Sequence, residues 1–189
     1  MAAVRIVLPK GALVLLVGPV GSGKTTFARA RFAPTEVISS DFCRALVSDD
    51  EGDQGATAAA FEILHLVVRH RLRRGRLTVV DATNVKPESR QSLLALAREH
   101  GARTVAVVFD LPEDLCVERD RARPGRTVGA AVIHRQRKAM LRSLPALETE
   151  GFAAVYVLDS PNTVDAVRFE TLSARRPLRR RGSPRSPAW

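Results

Sequence analysis

The eight residues Gly18-Pro-Val-Gly-Ser-Gly23-Lys24-Thr25 constrain this chain more than any others. They fit the pattern G-x-x-x-x-G-K-[ST], between a continuous apolar run, Leu13–Val17, and an amphipathic stretch from Lys24 to about Phe32. A short apolar run before a glycine-rich turn and a helix reads as a strand buried on both faces. The glycines let the backbone curl until its N–H groups face an anion, and the following helix adds the partial positive charge of its N-terminus. The phosphate-cradle set is Gly18, Gly21, Ser22, Gly23, Lys24, Thr25 and Thr26. Lys24 neutralises charge between the β- and γ-phosphates and Thr25 offers its hydroxyl to Mg²⁺. The motif implies a nucleoside triphosphate, read as ATP, with magnesium. It leaves the reaction open.

The rest of the chain repeats that alternation. Strands are expected at Glu36–Ser39, Leu77–Val80, Thr104–Phe109 and Val155–Leu158. Helices are expected at Thr57 to about Arg74, Pro87–His100, Pro112 to about Arg121 and Val128 to about Leu144, with a short helix or turn over Val164–Leu172. Alternating strand and helix predicts an α/β, P-loop NTPase architecture, with a parallel sheet of about five strands flanked by helices. Ligands of such sheets sit beyond the carboxyl ends of the strands. The informative positions are therefore those just after each strand.

Three such positions carry chemistry. In Ser39-Ser-Asp41-Phe-Cys-Arg44, Asp41 can accept the proton of an acceptor hydroxyl, and Arg44 lies one helical turn on, placed to hold an acceptor phosphate. In Val79-Val-Asp81-Ala-Thr83-Asn84, Asp81 closes a strand near the cradle, where a carboxylate holds Mg²⁺ through water. Thr83 and Asn84 follow as candidates for acceptor contacts. In Arg119-Asp-Arg121-Ala-Arg123-Pro-Gly-Arg126, four arginines around a Pro-Gly break read as a hinged cationic flap, an arginine-bearing helical lid. Val132, Ile133, Met140 and Leu141 on the next helix read as core.

Composition excludes several classes. The two cysteines, Cys43 and Cys116, have no ligand-like spacing, which argues against a disulfide scaffold or a zinc site and for a reducing, cytoplasmic setting. No apolar run approaches the roughly 18 residues of a membrane span, and the N-terminal residues lack the apolar segment of a leader. No Asn-Lys-x-Asp for guanine recognition is present. The net charge is +10, and residues 175–189 hold six arginines, three prolines and no acid. This predicts a kinase-sized domain over residues 1–174 and a basic, disordered tail over 175–189, suited to a phosphate backbone.

The runs LVLLVGPVGSGKTTFARARF, PTEVISSDFCRALVSDDEGDQ, LTVVDATN and VAVVFDLPEDLCVERDRARPGR together resemble the kinase domain of bacterial polynucleotide kinase-phosphatase, an RNA end-healing enzyme, over about Val4 to Leu178. The resemblance implies ATP-dependent phosphorylation of a 5′-hydroxyl end of RNA or DNA. It implies Asp41 as general base, Arg44 on the 3′-phosphate of the terminal nucleotide, and Arg123 and Arg126 on the ATP phosphates. It also implies Lys24 and Thr25 on ATP and Mg²⁺, Asp81 as an indirect magnesium ligand, and Gln54 and Asn84 as lesser acceptor contacts. No metallophosphatase motif accompanies the kinase motifs, so the sequence reads as a free-standing kinase, as one piece of a split system with a phosphatase or ligase partner on a separate chain, or as a duplicated domain turned to another acceptor. A small-molecule kinase acting on a sugar, antibiotic or nucleoside, and a non-catalytic ATP-binding module, are the alternatives.

Overall fold

The structure is a computed structural model that describes residues 4–125 and 127–172. Its centre is a five-stranded parallel sheet, β2 (Leu13–Val17), β3 (Val37–Ser39), β4 (Thr78–Asp81), β5 (Thr104–Phe109) and β6 (Ala154–Leu158), in the order β3-β4-β2-β5-β6. Every pairing is parallel, and β2 lies in the middle between β4 and β5. All five residues of β2 are fully buried. Its side chains alternate between two cores, Val14 and Leu16 on one face and Leu13 and Leu15 on the other. The helices are α1 (Lys24–Arg31), α2 (Ser40–Ser48), α3 (Thr57–Arg73), α4 (Pro87–Glu99), α5 (Glu113–Arg121), α6 (Ala130–Ser143) and α7 (Pro161–Asp165). Parallel strands need crossovers, and these helices supply them on both faces.

The α1 face holds an aromatic knot in which Phe27 meets Phe32, Phe109 and Phe169 edge-on. The opposite face packs Leu64 and Val68 of α3 and Leu93 of α4 against Leu13 and Leu15. On α6, Ile133 and Met140 are core as expected, whereas Leu141 is exposed and Val132 lines a cleft. Cys43 and Cys116 are buried free thiols.

The structure corrects the expected element list in two places. A strand, β1 (Val4–Pro9), precedes the first expected one, and the span read as a terminal helix or turn is α7 followed by β7 (Val167–Leu172). The two strands pair in parallel as a separate sheet, Val4 opposite Val167 through Pro9 opposite Leu172. The reason is a period of two. Ile6 and Leu8 are buried while Arg5 is exposed, and Val167 is buried and Phe169 half-buried while Arg168 and Glu170 are exposed. Residues 175–189, expected to form a basic tail, lie outside the described residues, as does Arg126.

Candidate active site

The cradle forms where β2 ends. Gly21, at φ +79°, lies so close to α5 that a Cβ there would fall 2.1 Å from the Cys116 carbonyl oxygen. Only glycine satisfies both conditions. Two further bonds hold the loop. The Gly18 N–H donates to the Thr83 carbonyl at 2.9 Å, and the Val20 N–H donates to Gln136 Oε1 on α6 at 2.8 Å. Gln136 escaped the sequence reading because a lone glutamine on an amphipathic helix carries no signal. Its position three residues after the core residue Ile133, on the inward face, is the one cue available.

Lys24 opens α1 and is buried, with its ammonium donating to the Pro19 carbonyl at 2.7 Å and to Ser22 Oγ at 3.3 Å. Burial pulls its pKa down from 10.5 to about 8, against the upward pull of Asp81 and with a further push down from Arg123. A buried cation whose hydrogen bonds all go to neutral oxygens is poised for an anion. Beside it, Thr25 Oγ1 donates to Asp81 Oδ2 at 2.8 Å. These hydroxyl and carboxylate oxygens fit a hard divalent ion such as Mg²⁺, which takes one or two protein oxygens and completes its shell with phosphate and water. No group of three or more His, Cys, Asp or Glu that could hold a metal occurs among the described residues, in keeping with so sparse a site.

Across the cleft, Ser39 caps α2 by accepting from the Phe42 N–H at 3.4 Å. That start places Asp41 and Arg44 on one face of the helix, where their side chains pair directly. Arg44 is buried, and its Nε donates to the Glu51 carbonyl at 2.8 Å. The flap adds Arg123, whose Nη2 is 3.4 Å from Glu51 Oε2 and 3.8 Å from Asp41 Oδ2. Glu51 therefore touches both arginines, one through its backbone and one through its side chain, a role that its place in an acidic loop concealed.

Asp120 sets the flap. It is buried at the end of α5 and accepts the backbone N–H of Gly129 at 3.0 Å and of Val128 at 3.1 Å, tying the end of α5 to the start of α6. Among four neighbouring arginines it reads as a surface counter-ion, and only the fold turns it inward.

Lys24, Thr25, Asp41, Arg44, Asp81 and Arg123 all line one cleft of about 1160 Å³. Gly21, Ser22, Gly23, Thr26, Thr83, Gln54 and Arg119 line it as well. Gly18 is buried at the foot of the loop. Asn84 differs from expectation. It is 2% exposed and its side-chain amide donates to the Leu16 carbonyl at 2.8 Å, while its backbone carbonyl accepts from Arg90 at 2.8 Å. It joins β2 to the loop after β4 and faces away from the cleft, because Arg90, fully buried and paired with Glu150 at 2.7 Å, draws the loop inward.

The family model described as AAA domain matches residues 13–147, which run from β2 through α6 and contain every cleft residue named above. The chain belongs to the AAA domain family. A curated relative of this AAA domain chain, "Transcription factor bHLH140" from Arabidopsis thaliana, is 28% identical over 162 residues, covering 82% of this chain and 17% of that protein. A chain of the Pnkp1/Rnl/Hen1 RNA repair complex is similar in structure, with a TM-score of 0.62 and 24% identity, over 77% of this chain and 46% of that one. A gluconokinase from Sinorhizobium meliloti 1021 is similar with a TM-score of 0.52 and 18% identity, over 84% and 90%. The chain thus spans under half the length of the first two. The fold is that of a P-loop kinase, which implies nucleotide binding. No helix among the described residues is long and apolar enough to cross a membrane.

Proposed function

We propose that this protein is an ATP-dependent 5′-hydroxyl polynucleotide kinase, transferring the γ-phosphoryl group to the 5′-OH end of RNA or DNA. The observation that carries the reading is the Asp41–Arg44 pair facing Lys24 and Thr25 across one cleft. A hydroxyl acceptor needs a carboxylate to take its proton, and an acceptor that also bears a phosphate needs a cation beside that carboxylate. A neutral sugar acceptor offers no anion to a buried arginine next to the base. Likeness to a chain of an RNA repair complex supports the same reading.

In this mechanism the triphosphate lies on the cradle and Lys24 neutralises its β- and γ-oxygens. Thr25, with Asp81 behind it, would hold Mg²⁺, which supplies charge neutralisation on the phosphates. Asp41 accepts the proton of the 5′-OH as that oxygen attacks the γ-phosphorus in line, and the bond to the β,γ-bridging oxygen breaks to release ADP. Arg44 binds the acceptor's 3′-phosphate. Arg123 shifts from Glu51 onto the transferring phosphoryl group, a role worth about 10³-fold or more in rate where an arginine acts so. Arg126 is assigned the same phosphates.

The test is transfer of labelled γ-phosphate from ATP to a 5′-OH oligonucleotide, a nucleoside 3′-monophosphate, a nucleoside without phosphate, and gluconate. The expected order is oligonucleotide and 3′-monophosphate far above the others, with transfer lost in Asp41→Asn while ATP binding persists. Transfer to gluconate or to the bare nucleoside instead would make this a small-molecule kinase. ATP binding with no transfer to any acceptor would make it a non-catalytic module.

A further inference from the structure

The end of the fold opposite the cradle carries a concentrated positive charge that the cleft does not use. From Leu66 to Thr78 the chain holds five arginines and no carboxylate. Arg69, Arg73, Arg74 and Arg76 are exposed. Arg71 is structural, its guanidinium donating to the Leu77 carbonyl at 2.6 Å and to Thr78 Oγ1 at 3.2 Å. Among the described residues no carboxylate pairs with Arg69, Arg74 or Arg76. The negative end of α3 accounts for a cation or two in its last turn. It does not account for four exposed guanidinium groups within eight residues, which repel one another until a counter-anion arrives.

A neighbouring turn extends the patch. The turn after β1 brings exposed Lys10 beside it, since Gly11, at φ +66°, sits so close that a Cβ would be 2.7 Å from the Gly75 carbonyl oxygen. A groove of about 720 Å³ runs between these turns, edged by Lys10, His70, Arg74 and Arg76, with Glu36 the one carboxylate in its lining.

We infer that this pole is a second, sequence-independent binding surface for the phosphodiester backbone of a nucleic-acid strand, apart from the acceptor cleft. Arginine favours that ligand, because its planar fork matches phosphate oxygens in pairs and is weakly hydrated. No Phe, Tyr or Trp lies between Leu66 and Thr78, which matches a surface dominated by backbone contact. The inference rests on the polynucleotide reading for its purpose but is tested apart from it.

The experiment measures binding of a labelled 30-nucleotide single strand bearing a 5′-phosphate, which cannot serve as an acceptor, as a function of salt. The full chain is compared with a variant carrying Arg69→Gln, Arg73→Gln, Arg74→Gln and Arg76→Gln, with Arg71 left in place. Each lost phosphate contact reduces the slope of log K against log salt by about 0.7 for a single strand. The expected result is a slope shallower by roughly 2 to 3 and affinity lower by about a hundredfold at 0.15 M salt. ATP binding should be equal in the two proteins, which shows that the variant folds. Equal affinity and slope in the two proteins would overturn the inference, as would failure of the unaltered chain to bind the strand at low salt. Arginine-dependent capture by phosphatidylserine vesicles with no binding to the strand would reassign the surface to a membrane and overturn it equally. Transfer to a nucleoside 3′-monophosphate, run alongside, reports on the cleft alone.

Discussion

Thr25 Oγ1 and Asp81 Oδ2 lie 2.8 Å apart, joining the first turn of α1 to the last residue of β4. The bond links the helix that follows β2 to the strand beside β2, so the register of β2 with β4, Leu16 opposite Asp81, fixes the carboxylate beside the cradle. Asp81→Asn keeps the shape but removes the charge that orients the hydroxyl and would hold a metal-bound water. The half-saturating Mg²⁺ concentration for phosphotransfer should rise about 10- to 100-fold, the usual effect of losing an outer-sphere partner. ATP binding without metal should be unchanged. A magnesium titration that overlays that of the unaltered protein would remove Asp81 from the metal site.

The depressed pKa of Lys24 sets a pH dependence whose sign is definite. Its folded pKa is about 8 and its unfolded value 10.5, so between those pH values the unfolded chain binds the additional proton. Stability of the ligand-free protein through this group rises with pH across that window, by about 1 kcal/mol per pH unit, and is flat below it. Nucleotide binding runs the other way, because the triphosphate needs the ammonium charged. ATP affinity should therefore fall above pH 8, with proton uptake on binding. Calorimetry at pH 9 in buffers of different ionisation enthalpy measures that uptake, and Lys24→Met should abolish it.

Much of this molecule is legible in the residues. The all-apolar β2, followed by glycines and a lysine, fixes the central strand and the cradle, and Asp41 and Arg44 meet as their spacing requires once Ser39 caps the helix. What stays hidden depends on pairing at long range. β1 and β7 are six residues each and meet only because the chain returns to its start, so neither announces its partner. Asn84 looks like a cleft residue because it follows Asp81 and Thr83, yet the buried Arg90 turns it toward Leu16. Asp120 and Glu51 are acids in charged loops, and their value lies in which N–H or guanidinium the fold delivers to them.

The contact between Gly21 and the Cys116 carbonyl predicts a severe effect from one methyl group. In Gly21→Ala the new Cβ would have to displace backbone, not a flexible side chain, and the φ of +79° adds strain of its own. The left-handed conformation costs about 1–2 kcal/mol and the overlap about 1–3 kcal/mol more. The variant should melt several degrees lower and lose nucleotide binding. Gly125→Ala provides the control, since nothing lies within 4 Å of its Cβ position, although its φ of +81° carries the same conformational strain. Comparable melting points for the two variants would show that the Cys116 contact contributes nothing.

Asp120 separates flap geometry from flap charge. Its carboxylate holds the Val128 and Gly129 N–H groups, while Arg119 and Arg123 on either side line the cleft. Asp120→Ala leaves every arginine in place but frees the turn between α5 and α6, and it strands two backbone donors at a cost of about 2 kcal/mol. If the flap acts by positioning, kcat should fall at least about tenfold with less change in the KM for ATP, because the cradle itself is intact. Cleavage within residues 121–129 by trypsin should speed up and should no longer be suppressed by nucleotide. Arg123→Lys retains charge at the tip with Asp120 intact. It should lower kcat while leaving the protease pattern of the unaltered protein, so the two variants divide anchoring from charge stabilisation.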